Sequence, residues 1–211
     1  MMLVTFHTAL RTVFITTALS SVVACTTTTQ PTILRKPTAV LRVVGDVGED
    51  MAKLWETVDR QLTAAPPPVS PKDTFLISIS SRGGRVDYMK KIIGHMQHIQ
   101  KLGYKIQCVA TMACSSAFMI WMECDERYTY QYGYLMFHYP RYGVQEKVDY
   151  QEAKQMYESL AMARLEWLIL LDNKLGNYFT SKEIDEAALA SRDWTGEEFC
   201  NKAQGFCKVL K

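Results

Sequence analysis

The hydrophobic positions of this chain switch repeatedly between a strand period and a helix period. Val40-Leu41-Arg42-Val43-Val44-Gly45-Asp46-Val47 reads as a strand that ends in a glycine turn. From Met51 to Leu62 the apolar residues Leu54, Trp55, Val58 and Leu62 fall at helical spacing, and Ala64-Ala65-Pro66-Pro67-Pro68 stops that helix. Thr74–Ile79 is a second strand, and Val86–Leu102 a second helix with Met89, Ile92, Ile93, Met96 and Ile99 on its apolar face. Lys105–Ala110 predicts a third strand, Ser115–Cys124 a buried helix and Tyr134–Phe137 a short fourth strand. Val148–Leu175 predicts one long helix, and a β-rich piece follows at Gly205–Leu210. Strands that alternate with helices predict an α/β fold with a parallel sheet under helical cover.

Ahead of this domain the pattern changes. Residues 1–24 hold a single basic residue, Arg11, no acidic residue and an apolar run through Val22-Val23-Ala24. That layout is a secretory signal, too short for a comfortable membrane span. Cys25 follows at once, and Val22-Val23-Ala24-Cys25 resembles a bacterial lipobox, which implies that Cys25 is lipidated. An ordinary cleaved signal and an uncleaved anchor are the other readings. Residues 25–38, rich in Thr with Pro31 and Pro37, form a tether, and 39–211 the folded domain. The expected location is the bacterial cell envelope, with Thr26 after the cysteine pointing to the periplasmic face of the outer membrane.

The net charge of +2 suggests neither a nucleic-acid partner nor a polybasic membrane patch. With Cys25 lipidated, the other five of the six cysteines cannot all pair within one chain. Cys200 and Cys207 are the closest pair able to meet. Cys114 and Cys124, placed on one helix, lie too far apart to bond. There is no Cys-x-x-Cys and the four histidines are scattered, so no metal site is expected, and nothing points to a cofactor.

The chemistry is concentrated between Ile77 and His138. A Gly-Gly turn (Ser81-Arg82-Gly83-Gly84), a serine opening an apolar helix (Ala113-Cys114-Ser115-Ser116-Ala117) and a histidine at a strand end (Phe137-His138-Tyr139-Pro140) come in one order. Acyl transfer needs a hydroxyl nucleophile, a base and N–H donors aimed at an oxyanion, and these are residues of those kinds. His95 and His98, on a helix, read instead as half-buried polar residues.

These motifs resemble the ClpP-type serine peptidases and their crotonase-fold relatives, signal peptide peptidase A included. The resemblance lies in the strand with Ser81-Arg82-Gly83-Gly84, where the family carries proline at the position of Arg82. It continues in Ala113-Cys114-Ser115-Ser116-Ala117, in Arg127 before His138, in Gly45-Asp46-Val47, and in Arg192-Asp193-Trp194-Thr195-Gly196 with Gly205-Phe206. It implies a ClpP/crotonase-like fold with one long helix after the histidine. The roles it implies are Ser115 as nucleophile, with Ser116 the alternative, His138 as base and Asp193 as the acid that orients it. The oxyanion hole would be the N–H groups of Gly84 and Ser116, the second at a helix start where free N–H groups and the macrodipole favour negative charge. Asp172 and Asp185 are fallback acids, Asp193 being otherwise a helix cap. Cys114 occupies a packing position.

The long helix carries more apolar residues than one sheet face needs, and in the family its counterpart reaches a second subunit, so a homo-oligomer is expected. Two functional classes follow. One is an envelope serine peptidase acting on peptides or unfolded segments, held to the membrane by a lipid anchor. The other is a catalytically silent scaffold or peptide-binding lipoprotein. An acyl-CoA enzyme ranks third, because an exported protein meets no CoA pool.

Overall fold

The computed structural model describes residues 39–64, 74–141 and 149–211. The signal, Cys25 and the tether lie outside the described residues. The elements run β1 (Ala39–Val44), α1 (Glu49–Ala64), β2 (Thr74–Ser81), α2 (Val86–Lys101), β3 (Lys105–Cys114), α3 (Ser116–Met122), β4 (Glu126–Met136), α4 (Tyr150–Leu175), α5 (Ser181–Ala190), β5 (Asp193–Thr195), α6 (Gly196–Lys202) and β6 (Lys208–Leu210). They build one six-stranded sheet ordered β1-β2-β3-β4-β5, with β6 also pairing β4. All pairs are parallel except β4 with β5. The α/β class and the parallel sheet expected from the hydrophobic pattern are therefore present.

Two expectations are corrected. The fourth strand begins at Glu126 rather than Tyr134 and has 11 residues. It escapes a simple hydrophobic reading because β3 passes from Ala110 to Met112 while β4 passes from Thr129 to Tyr134, so Tyr130–Gly133 bulge outward. Tyr132 at the crest is 83% exposed. The third helix starts at Ser116, so Cys114 ends β3 and shares no helix with Cys124. Cys124 instead bonds Cys108 on β3, a pairing absent from the sequence reading, while Cys200 bonds Cys207 as expected. Among the described residues Cys114 is the one free thiol, and it is buried. Helices α5 and α6 were also not anticipated; each is set by a capping box, Thr180 with Glu183 and Thr195 with Glu198.

The core is continuous from α1 and α2 across the sheet to the C-terminal segment. Every residue of α3 is buried, and its aromatic side chains anchor the end of the chain. Phe118 and Trp121 both contact Phe199 of α6, Trp121 also meets Phe206, and Phe199 packs against Trp194 of β5. Arg127 closes this corner: its guanidinium donates to the carbonyls of Phe206, Met122 and Cys124 and lies over the Phe206 ring. The arginine that the motif order singled out thus caps α3 and holds the chain end.

On the far side, one carboxylate clamps α1 to α2. Asp59 accepts from His95 Nδ1 at 2.8 Å and from His98 Nδ1 at 2.6 Å. Burial pushes the Asp59 carboxyl upward, but the two imidazole hydrogen bonds outweigh it and hold the group below its ordinary value. Because the folded-state value is depressed, this contribution is full above the ordinary carboxylate range and is lost as pH falls through the folded value. Asp59→Asn is expected to lower unfolding free energy by about 1–3 kcal/mol near neutral pH. Urea denaturation of both proteins from about pH 7 to about pH 2 checks this, since the gap should close at the acid end; a gap that persists there contradicts the assignment.

Candidate active site

The site begins at a reversal of the backbone. Ser115 joins β3 to α3 with φ 54° and ψ −126°, one of two non-glycine residues at positive φ among those described. A serine in this region is strained, and the surroundings hold it there. Its N–H donates to the Met136 carbonyl of β4 at 2.8 Å, and its carbonyl accepts from the N–H groups of Phe118 and Met119. The turn lifts the Ser115 side chain to partial exposure, whereas Ser116, inside the first turn of α3, is fully buried and its hydroxyl has no partner among the described residues. The two serines are adjacent in sequence and differ sharply in access.

The glycine pair supports this reversal from the other side. Gly83 has φ +102°, and a Cβ there would stand 2.7 Å from both the Cys114 carbonyl and Ser115 Cβ and 3.1 Å from Ser116 N. Only a residue without a side chain lets β2 come this close to the β3–α3 turn. Gly84 bridges Val47, whose N–H donates to the Gly83 carbonyl and whose carbonyl accepts from Arg85 N–H. This explains the Gly45-Asp46-Val47 turn, since it backs the glycine pair. Among the described residues the N–H groups of Gly84 and of Ser116 have no acceptor outside the helix. These are the two donors named for the oxyanion hole, and they lie on the two segments that Gly83 brings into contact.

His138 lies just past β4 and is half-buried. Its Nδ1 is 2.6 Å from the Tyr139 carbonyl. A carbonyl only accepts, so Nδ1 carries the hydrogen and Nε2 keeps the lone pair, the tautomer that suits a general base. Among the described residues no hydrogen bond joins His138 to Ser115 or to Asp193.

Asp193 opens β5, directly opposite Met136. It is not a helix cap; Thr195 fills that role for α6. Its carboxylate accepts a hydrogen bond from the Tyr134 hydroxyl, and this contact leads the influences that push the Tyr134 phenol up to about 12. The same carboxylate acts on Cys114, whose thiol is pushed up to about 11, first by burial and then by Asp193, with Arg82 opposing. Cys114 is therefore a neutral thiol near pH 7, a packing residue and not a nucleophile. The fallback acids are engaged elsewhere: Asp172 accepts from Ser181, and Asp185 from the Tyr139 hydroxyl and Arg164.

Ser115 and Ser116 thus meet the Gly83–Gly84 turn, Asp193 lies across from Met136 at the end of β4, and His138 follows two residues after Met136; among the described residues no hydrogen bond joins Ser115, His138 and Asp193. Tyr134 and Arg82 are the site neighbours that sequence reasoning missed. The alternation Tyr128-Thr129-Tyr130-Gln131-Tyr132-Gly133-Tyr134 was a signal for an extended segment reaching Asp193. A cleft of about 910 Å³ is bounded by Gly84, Arg85 and Val86 on one side, Pro140 and Arg141 on the other, and Trp167 of α4; among the described residues of the candidate site, Gly84 lines it.

A family model described as Clp protease matches residues 38–167, more than half of the chain. Members of that family typically form oligomers and act on peptides. No curated protein matches the chain. The matched residues include Ser115 and His138 and end before Asp193.

The glycine and the buried hydroxyl give opposite expectations. Gly83→Ala should destabilise the fold by about 1–3 kcal/mol or more, because it adds both backbone strain and a clash with Ser115. Ser116→Ala should be neutral or stabilising by about 1 kcal/mol, since it removes a buried hydroxyl that has no partner. Chemical denaturation of the two variants beside the wild type measures both, and a clearly destabilised Ser116→Ala would contradict this placement.

Proposed function

The chain belongs to the Clp protease family, and on that premise we propose that it is a lipid-anchored serine peptidase of the bacterial cell envelope that cuts peptides or unfolded segments. The observation that carries the reading is the strained Ser115 turn set against the Gly83–Gly84 pair. Ser115 Oγ attacks the scissile carbonyl carbon while His138 Nε2 takes its proton. The carbonyl oxygen becomes an oxyanion facing the N–H groups of Gly84 and Ser116. Collapse expels the amine, which leaves with the proton from His138. Water, deprotonated by the same histidine, then releases the acyl group from Ser115. Asp193 orients the imidazole and stabilises its charged form. The cleft beside Gly84 and Pro140–Arg141 has room for several residues of an extended peptide.

The envelope assignment draws on the leader, on Cys25 and on the two disulfides, which suit an oxidising compartment. A second reading, a silent scaffold, draws on one observation: His138 is bonded to the Tyr139 carbonyl and Asp193 to Tyr134, so the three groups are not joined. Fluorophosphonate labelling of the full chain in fractionated cells separates these readings. Label is expected in the membrane fraction, lost in Ser115→Ala and His138→Ala, kept in Ser116→Ala, and shifted out of that fraction by Cys25→Ser. A folded wild type that takes no label moves the assignment to the scaffold, and unchanged fractionation of Cys25→Ser removes the lipid anchor.

Self-association rests on α4. Its buried residues are Trp167, Leu171 and Leu175, all toward its C-terminal end. Tyr150, Tyr157, Met162, Leu165 and Ile169 are exposed on the same helix, a single-chain surface that favours burial against another copy. Sedimentation should show an oligomer that Leu165→Glu with Ile169→Glu reduces to a smaller species. A monomeric wild type at micromolar concentration would refute the assignment.

A further inference from the structure

The acid and the base of the site are each held by a partner other than the one a catalytic triad requires, and the strand register shows why. In the antiparallel β4–β5 pair, Asp193 stands opposite Met136 and Thr195 opposite Tyr134. Directly opposed residues share a face and successive residues alternate. Asp193 therefore shares its face with Met136 and Tyr134; Tyr134 is its diagonal neighbour within β4, and His138 follows two residues beyond Met136, past the end of the strand. The Asp193 carboxylate meets one of these two groups. It is bonded to the Tyr134 hydroxyl, while His138 Nδ1 donates to the carbonyl of its own neighbour, Tyr139.

We propose that Tyr134 is a latch that holds Asp193 away from His138, and that transfer of Asp193 from Tyr134 Oη to His138 Nδ1 is the step that arms Ser115. This rests on the assignment of Ser115, His138 and Asp193 made above. The exchange breaks two hydrogen bonds, Tyr134–Asp193 and His138–Tyr139, and forms one, His138–Asp193. The Tyr134 side chain is 39% exposed, so its freed hydroxyl returns to water rather than being stranded. Asp193 is exposed as well, so the carboxylate can turn without breaking into the core.

The groups around the latch keep it closed near neutral pH. The phenol is pushed up to about 12, chiefly by its hydrogen bond to Asp193, and remains a donor. Cys114, pushed up to about 11, is neutral and adds no charge. Arg82 is the one cation that acts on both groups, and it lowers both. The latch therefore opens by movement of Asp193 or Tyr134 and not by loss of the phenolic proton. Tyr134 is a positioning residue: it acts on the reaction through Asp193 alone.

The test uses the full chain and a fluorophosphonate probe. Tyr134→Phe keeps the ring and removes the donor, and is expected to raise the labelling rate about tenfold, the factor by which a minor competent population scales an apparent rate. Adding Asp193→Asn should cancel the gain, which a loosened structure would not produce. An unchanged or slower rate in Tyr134→Phe, with labelling still abolished by Ser115→Ala, overturns the latch and leaves the peptidase assignment standing. Absence of label in every variant overturns that assignment and the latch with it. If Tyr134→Phe does not fold, NMR of tyrosine labelled with ¹³C at Cζ decides on the wild type and Asp193→Asn. The Tyr134 phenol should fall from about 12 to about 10, the ordinary phenol value, when the carboxylate is removed; no change overturns the contact.

Discussion

The missing side chain at Gly83 is the constraint on which the rest of this structure turns. With a Cβ there, the Cys114 carbonyl and Ser115 Cβ would both be met at 2.7 Å. The end of β2 could not then lie against the β3–α3 turn, and Ser115 could not keep its positive φ between them. That turn is secured on its opposite side by the Met136 carbonyl of β4, which accepts the Ser115 N–H. Three neighbouring strands thus meet at one residue. Strain at Ser115 is tolerable because each contact is itself part of the sheet. The buried helix α3, apolar throughout, supplies the opposing force by anchoring the chain just beyond the turn.

The second half of the site is fixed by a different kind of interaction. Asp193 belongs to a three-residue strand that would carry little stability alone. Its position comes from the aromatic cluster of Trp194, Phe199, Phe179 and Phe118, which locks β5 and α6 onto α3. The Cys200–Cys207 bond and Arg127 close the same corner. The helix that presents Ser115 is therefore also the surface on which the segment bearing the acid is built. This coupling has a consequence for the family relationship, since the matched region ends at residue 167. Ser115 and His138 sit in the matched part, and Asp193 is positioned by packing outside it.

Much of this was legible in the chain and some was not, for identifiable reasons. Strands β2 and β3 and helices α1 and α2 are flanked by proline or glycine and keep a clean apolar period, so their hydrophobic pattern located them. Gly83-Gly84, Ser115 and His138 carry short local motifs, and the structure sets the glycine pair against Ser115. Strand β4 was shortened because its bulge at Tyr130–Gly133 interrupts the pairing and exposes tyrosines where a buried strand would be apolar. The Cys108–Cys124 bond was missed because Cys114 was placed on a helix, when it ends a strand. Helices α5 and α6 are short, and their limits are set by capping boxes and tertiary packing more than by periodicity. What sequence order could not show at all is pairing: it named Asp193 and His138 but not which donor holds the carboxylate.

That last gap is physical rather than a matter of missing motifs. Tyr134 is the diagonal neighbour of Asp193 across the antiparallel pair, and its hydroxyl reaches the carboxylate. That hydroxyl is a neutral donor, and a neutral donor competes best for the carboxylate while the imidazole is uncharged. In the proposed mechanism His138 becomes a cation once it accepts the Ser115 proton, and its hydrogen bond to a carboxylate is then the charge-assisted one. Asp193 then has more to gain from His138 than from Tyr134 at the moment when the oxyanion forms. On the proposed assignment, an Asp193 already transferred to His138 strengthens its hold as the oxyanion forms, where stabilisation accelerates the reaction.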